Sequence, residues 1–220
     1  MDPAGRLTVW DTVTQMSVAA YVMLAILLIA IQIVLVITPL KWRQLRRLRR
    51  AQEAFEQALG RSAVPGEVQA IAMAHGSAPG ARVLTTMLTL ASSEHVGYEE
   101  LLGEARRAIA REQESLEHLM PTLASIAATA PLMGLFGTVW GLIEAFLTIS
   151  AERSSQLHII APAMSGALLT TALGLISAMP ASVVHNYAGA RVQAWLEELD
   201  ALAQRWAGRL AQPSPPGQVR

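Results

Sequence analysis

From His118 to Ile143 the chain carries no Asp, Glu, Lys or Arg. A run of that length can cross a hydrocarbon core of roughly 30 Å, which takes about 20 helical residues. Its side chains are not those of a helix that faces lipid all round. Gly134, Gly137, Thr138 and Gly141 recur at helical spacing and predict one small-residue stripe along one face. Lipid supplies no hydrophobic drive for packing helices, and close backbone approach along such stripes takes its place. The stripe therefore predicts a helix pressed against neighbours, with the Thr138 hydroxyl near mid-membrane. On these residues alone, a glycine packing face with no further role is the plainer reading.

A second apolar run extends from about Val13 to Leu40, with no charge between Asp11 and Lys41. It exceeds the roughly 7–15 residues of a signal-peptide core and no basic region precedes it, so it is expected to be an uncleaved span. Lys41, Arg43, Arg46, Arg47, Arg49 and Arg50 follow it. By the positive-inside rule that end is cytoplasmic and the N-terminal segment, residues 1–12 with Trp10 as an interfacial anchor, lies outside. Gln32, a single polar group in this span, is expected to make an interhelical hydrogen bond. Composition agrees: the 220 residues are 52% hydrophobic and 15% charged, against about 25% charged in soluble domains. A net charge of zero gives no sign of nucleic-acid binding, and the absence of cysteine excludes disulfides and thiolate metal sites.

Residues 41–121 are expected to form a cytoplasmic helical domain. Leu45, Leu48, Phe55 and Leu59 keep helical spacing among charges, so the first span should continue into the cytoplasm and close at Gly60. Ser62 to Gly66 reads as a turn, Glu67 to His75 as a short helix ended by Gly76, and Val83 to Leu90 as another. The helix from Tyr98 mixes Glu and Arg at three- and four-residue spacings, as a solvated face does. The second span covers 122–147. A short outer loop, about Thr148 to His158, precedes a third span over 160–185, with Pro162 expected in its first turn. Ala163, Ala167, Thr170, Thr171, Gly174 and Ala178 predict a second small-residue face, and Pro180 must remove the hydrogen bond to Ile176. Val192, Trp195, Leu196, Leu199, Leu202, Trp206 and Leu210 form the apolar stripe of a cytoplasmic helix over 186–212. It should pack on the extensions of the other spans or on a neighbouring subunit, with 213–220 a disordered tail. The fold class is an all-α integral membrane protein with three transmembrane helices and long cytoplasmic helical extensions. The five histidines show no ligand spacing, with His158 and His185 read as interfacial.

The stretch Ala130-Pro131-Leu132-Met133-Gly134-Leu135-Phe136-Gly137-Thr138-Val139-Trp140-Gly141 resembles the second-span motif of the MotA/TolQ/ExbB proton-channel family, closest to its TolQ/ExbB branch. Pro162-Ala163-Met164-Ser165-Gly166-Ala167-Leu168-Leu169-Thr170-Thr171-Ala172-Leu173-Gly174-Leu175, then Met179-Pro180-Ala181, is similar to the family's third span. The resemblance implies that Thr138 and Thr171 line a pore. It also implies a homopentamer in the cell inner membrane around the transmembrane helix of an ExbD/TolR-like single-span partner. That partner would supply an aspartate, with proton flow driving motion. At one position this chain departs: Gly166 stands where TolQ- and ExbB-like chains usually have a glutamate.

A hydroxyl can orient water but cannot hold a proton at physiological pH as a carboxylate does. Glu144 is the nearest acid, roughly 9 Å up the helix from Thr138 at 1.5 Å per residue; it is either a headgroup-level residue reaching water or a group at the pore mouth. The expected pore-lining set is thus Thr138, Thr171, Gly166 and Glu144, and the expected packing set is Gly134, Gly137, Gly141 and Gly174. No phosphate-cradling loop, zinc helix or nucleophile elbow is present, so neither an enzyme, a cofactor nor a metal is expected. Two readings remain: a channel-forming stator subunit, favoured by the threonines, and a non-conducting scaffold of such a complex, favoured by Gly166. The powered process, whether import, envelope maintenance or gliding, is not encoded in these motifs.

Overall fold

A computed structural model describes residues 16–60, 65–93, 96–152 and 157–211. They are helical nearly throughout: α1 Val18–Leu59, α2 Pro65–Ala74, α3 Pro79–Ser93, α4 Tyr98–Glu117, α5 Met120–Glu152 and α6 Leu157–Leu210. Three of these, α1, α5 and α6, are long and apolar enough to cross a membrane. The chain is an all-α integral membrane protein. It divides into two compact units, one within residues 1–39 and 119–186, the other within 40–118 and 187–220.

The apolar unit has a modest core of Leu27, Val34 and Ile37 from α1, Leu123, Ile126 and Ala130 from α5, and Ala178 and Ala181 from α6. Around it Leu132, Phe136, Leu168 and Val183 stand exposed, together with Ile29 and Leu35. Such a surface would be a liability in water, but it is the ordinary coat of helices solvated by lipid tails. Gln32 lies on that exposed face. Among the described residues it makes no hydrogen bond to another helix of this chain, because the helical phase that buries Val34 and Ile37 turns it outward.

The second unit holds the larger core, with Phe55, Val68, Leu84, Met87 and Leu101 fully buried against Leu199, Leu202 and Trp206 of α6. The predicted C-terminal apolar stripe therefore packs within its own chain. Arg82 of α3 donates to both carboxylate oxygens of Glu112 on α4, its Nε lying 2.6 Å from Oε1, and its Nη1 reaches the carbonyls of Gly76 and Ser77. The buried Lys41 donates to the Leu116 carbonyl at 2.9 Å and so satisfies an orphan acceptor in the last turn of α4.

Proline placement explains most of the boundaries that differ from expectation. α2 and α3 begin at Pro65 and Pro79 themselves, where a missing N–H is harmless. α4 stops at Glu117 and Leu119 takes a positive φ of 70°, because Pro121 has no N–H to return to the Glu117 carbonyl. The segment expected as an outer loop is mostly helix: α5 runs through Glu152 and α6 starts at Leu157, and only 153–156 fall outside the described residues. Pro162 is accordingly past the first turn of α6, not in it. The helix carries through Pro180 and Asn186 to Leu210 as one element. The readings of residues 1–12 and 213–220, and residues 62–64 of the expected Ser62–Gly66 turn, lie outside the described residues, while Pro65 and Gly66 of that turn are already helical.

Candidate functional site

α5 and α6 meet along a seam from which side chains have been removed. A Cβ added at Gly134 would stand 2.9 Å from the Thr171 Cα, and one at Gly141 would stand 2.5 Å from the Ala167 Cβ. At Gly174 it would lie 2.6 Å from the Ala130 carbonyl oxygen and 3.1 Å from the Gly134 Cα. At Gly137 it would stand 2.8 Å from the Thr170 Cβ and overlap that residue's hydroxyl. Since real Cβ atoms do not approach other atoms this closely, only glycine permits the observed separation. All four glycines of the expected packing set lie on this seam.

The threonines divide. Thr171 donates its hydroxyl to the Gly134 carbonyl at 2.7 Å, joining the two helices. Thr138, expected on the glycine stripe, flanks it instead: it is half-exposed and donates to Leu135 of its own helix at 2.7 Å. The reason is phase. Ala130, Gly134, Gly137, Gly141 and Ala145 follow one another in steps of four, three, four and four residues and take the buried line, which leaves position 138 to one side. Fully buried Thr170 occupies the seam and donates to the Ala167 carbonyl at 2.7 Å. Its place in the small-residue pattern of the third span was legible, but its contact with Gly137 was not.

Gly166 and Glu144 are brought together. Both line a cavity of about 470 Å³ whose wall also includes Ser17, Gly141, Thr148 and Pro162. Glu144 accepts a 2.6 Å hydrogen bond from Trp140 Nε1, one turn back on α5. At Gly166 a Cβ would meet Met16 Cγ and Cε, both at 3.2 Å, so a flexible methionine lies where a longer side chain would begin. Ser17 and Met16 come from the start of the α1 segment. No spacing pattern links them to Glu144, and sequence reasoning missed them.

A three-span bundle with a glycine–threonine seam and one acid-lined cavity defines a class of membrane protein built for close helix packing around polar groups. Residues 75–201 match the MotA/TolQ/ExbB proton channel family, and the chain belongs to that family, in its TolQ/ExbB branch. It is 45% identical over 87 residues to the Tol-Pal system protein TolQ of Haemophilus influenzae, covering 40% of this chain and 38% of that protein. It is 36% identical over 107 residues to the biopolymer transport protein ExbB of Pseudomonas putida, covering 48% of this chain and 32% of the relative. With ExbB of Neisseria gonorrhoeae the identity is 36% over 105 residues, 48% of each chain. The aligned stretches thus span between about a third and a half of these relatives. With its three apolar helices, this proton-channel-family chain is an inner-membrane protein.

Proposed function

We propose that the chain is a subunit of a proton-motive-force-driven stator, working as TolQ- and ExbB-like proteins do with an ExbD/TolR-like single-span partner. In this reading five copies surround the partner's transmembrane helix, the partner's aspartate carries the proton, and Thr138 and Thr171 line its path. The N-terminal segment lies outside and the C-terminal helix in the cytoplasm, as the basic run from Lys41 to Arg50 favours. Motion of the partner would power import, envelope maintenance or gliding.

The observation that carries the reading is the cavity shared by Glu144 and Gly166. The third-span acid of the family's usual pattern is absent, yet a carboxylate from the second span faces the same space. Glu144 then acts as an acceptor at the outer mouth, taking the proton from water before it passes to the partner's acid. A non-conducting scaffold is the second reading, and Gly166 is what favours it.

Proton uptake into vesicles holding this chain and its partner separates the two. Replacing the partner's aspartate with asparagine should abolish uptake. Glu144→Gln keeps shape and the bond from Trp140, and should slow uptake without changing assembly. Absence of uptake in the unmodified, assembled complex under an applied potential would refute the channel reading. Uptake surviving the partner's Asp→Asn change would place the essential acid on this chain.

A further inference from the structure

A second cavity lies in the unit formed by residues 40–118 and 187–220, and the channel reading makes no use of it. It measures about 240 Å³ and is lined by Trp42, Arg46 and Arg49 of α1 and by Tyr187, Arg191 and Trp195 of α6. The walls are ordered by their own contacts. Trp42 and Tyr187 stack with ring centroids 5.9 Å apart and planes 29° from parallel. The Arg46 guanidinium lies 4.7 Å from the Trp42 ring centroid, and that of Arg191 lies 5.5 Å from Tyr187. Each cation is thereby held over an aromatic face while its edge N–H groups stay free to bind a planar or tetrahedral anion.

The charge there is not balanced. Arg49 pairs with Glu53 at 2.7 Å, but neither Arg46 nor Arg191 forms an ion pair among the described residues. The sequence has no Asp or Glu between Asp11 and Glu53, nor between Glu152 and Glu197, so both helices arrive at the cavity without acids. Position along the chain fixes the depth. Trp42 follows the apolar run of α1 by two residues, and Tyr187 follows Asn186 at the end of the apolar part of α6. Trp and Tyr at that level sit among lipid headgroups, where a basic pocket meets phosphodiesters.

We propose that this cavity binds the headgroup of an anionic phospholipid, with Arg46 and Arg191 holding the phosphate and the Trp42 and Tyr187 rings receiving the glycerol and upper acyl chain. Guanidinium is suited to this because its fork donates two parallel hydrogen bonds to one phosphate. The topology proposed above enters only in assigning the site to the cytoplasmic leaflet. The chemistry is distinct from a general basic surface, because Arg43 and Arg47 line a different cavity with Leu40 and Gln44.

The test uses the full chain purified in detergent, with dioleoyl phosphatidylglycerol and dioleoyl phosphatidylcholine as probes and native mass spectrometry as readout. The parent should retain phosphatidylglycerol at least tenfold more tightly than phosphatidylcholine. Arg46→Gln with Arg191→Gln should abolish that preference, while Arg43→Gln with Arg47→Gln should keep it within about twofold. Matching thermal melts verify that both double variants are folded, and single Arg46→Lys and Arg191→Lys changes, which retain charge, serve if the glutamine pair is not. These should keep part of the preference, since charge remains and the fork is lost. Equal loss in both glutamine pairs would overturn the proposal in favour of diffuse surface charge. Displacement of the lipid by millimolar inorganic phosphate would overturn it in favour of a free anion. If the Arg46→Gln, Arg191→Gln pair keeps the lipid preference but no longer co-purifies with the single-span partner when the two are co-expressed, the proposal is overturned in favour of a protein dock.

Discussion

The Gly141–Ala167 contact gives the sharpest test of how α5 and α6 are held together. A methyl at position 141 would stand 2.5 Å from the Ala167 Cβ, 3.2 Å from the Ala163 carbonyl oxygen and 3.4 Å from the Ala167 Cα. The first is a clash that no rotamer relieves, since neither alanine has a χ angle; the others ask for a few tenths of an ångström. Overpacking of this kind costs about 1–3 kcal/mol, and the gain in helix propensity on replacing glycine offsets at most about 1 kcal/mol. Gly141→Ala should therefore lower stability by about 1–2 kcal/mol, roughly 3–6 °C in Tm for a chain of this size. Ala167→Gly alone should cost about 1 kcal/mol in propensity. Made together, the two changes move the methyl from one helix to the other: the 2.5 Å contact disappears and the propensity terms cancel. The double variant should melt within about 3 °C of the parent, giving a favourable coupling of about 2–3 kcal/mol. Circular-dichroism melts in a mild detergent read all four proteins, with Gly103→Ala as the control, because nothing lies within 4 Å of a Cβ there. A double variant no more stable than Gly141→Ala would refute the seam as described.

Thr171→Val removes the hydroxyl that reaches the Gly134 carbonyl and should cost about 0.6–1.7 kcal/mol, whereas Thr138→Val breaks only a bond within its own helix and should melt with the parent; detergent melts distinguish them. Both valine variants should nonetheless lose motor output in a complemented deletion strain, and full output from both would remove the threonines from the proton path. Arg82→Met should destabilise the charged unit by about 1–2 kcal/mol, because it strands Glu112, whose side chain is 13% exposed; the 42% exposure of Arg82 keeps the figure below that of a fully buried pair. Urea unfolding followed at the tryptophans checks this, and an unchanged midpoint would mean the pair is screened to nothing.

What was legible in the sequence was whatever local pattern decides. The three apolar runs, the extension of the first span to Leu59 and the amphipathic C-terminal stripe all follow from periodicities within one helix, and the helices are there. The glycine seam was legible for the same reason. The misplacement of Thr138 depends on which way its helix is turned toward its neighbours. Thr138 counts as a small residue in the sequence, but a burial line through Ala130, Gly134 and Gly137 leaves it 40° or more to the side at about 100° per residue. Gln32 is turned outward by the same phase argument. The loop expected at Thr148 to His158 was read from polarity, yet α5 continues to Glu152, with the Thr148 hydroxyl turned back onto the Glu144 carbonyl at 2.9 Å. The cavity at Glu144 and Gly166 needs three chain segments at once, and no spacing rule contains that information.

The hydroxyls of the apolar unit constrain how a proton could pass it. Thr38, Thr129, Thr138, Thr148, Thr170 and Ser177 each donate to a carbonyl of their own helix at 2.7–2.9 Å. Thr171 donates across to α5. A hydroxyl has one proton to give, so each of these oxygens faces its surroundings as an acceptor. A chain of acceptors can hold water or a hydrated proton but cannot relay one by concerted hopping unless a hydroxyl first gives up its own bond, at about 1 kcal/mol each. Glu144 differs in being able to take the proton covalently and release it. In the proposed motor the division of labour follows: the threonines hold water beside the partner's helix, and the carboxylates on the proton's path are the partner's aspartate and Glu144. Thr171 is the costliest of the hydroxyls to recruit, because turning it toward the pore would also undo the only one of these bonds that ties α5 to α6. A Thr171→Ser change, which keeps the donor but frees its rotation, should then preserve flux better than valine while loosening the seam. Equal flux in the serine and valine variants would show that the hydroxyl has no part in conduction.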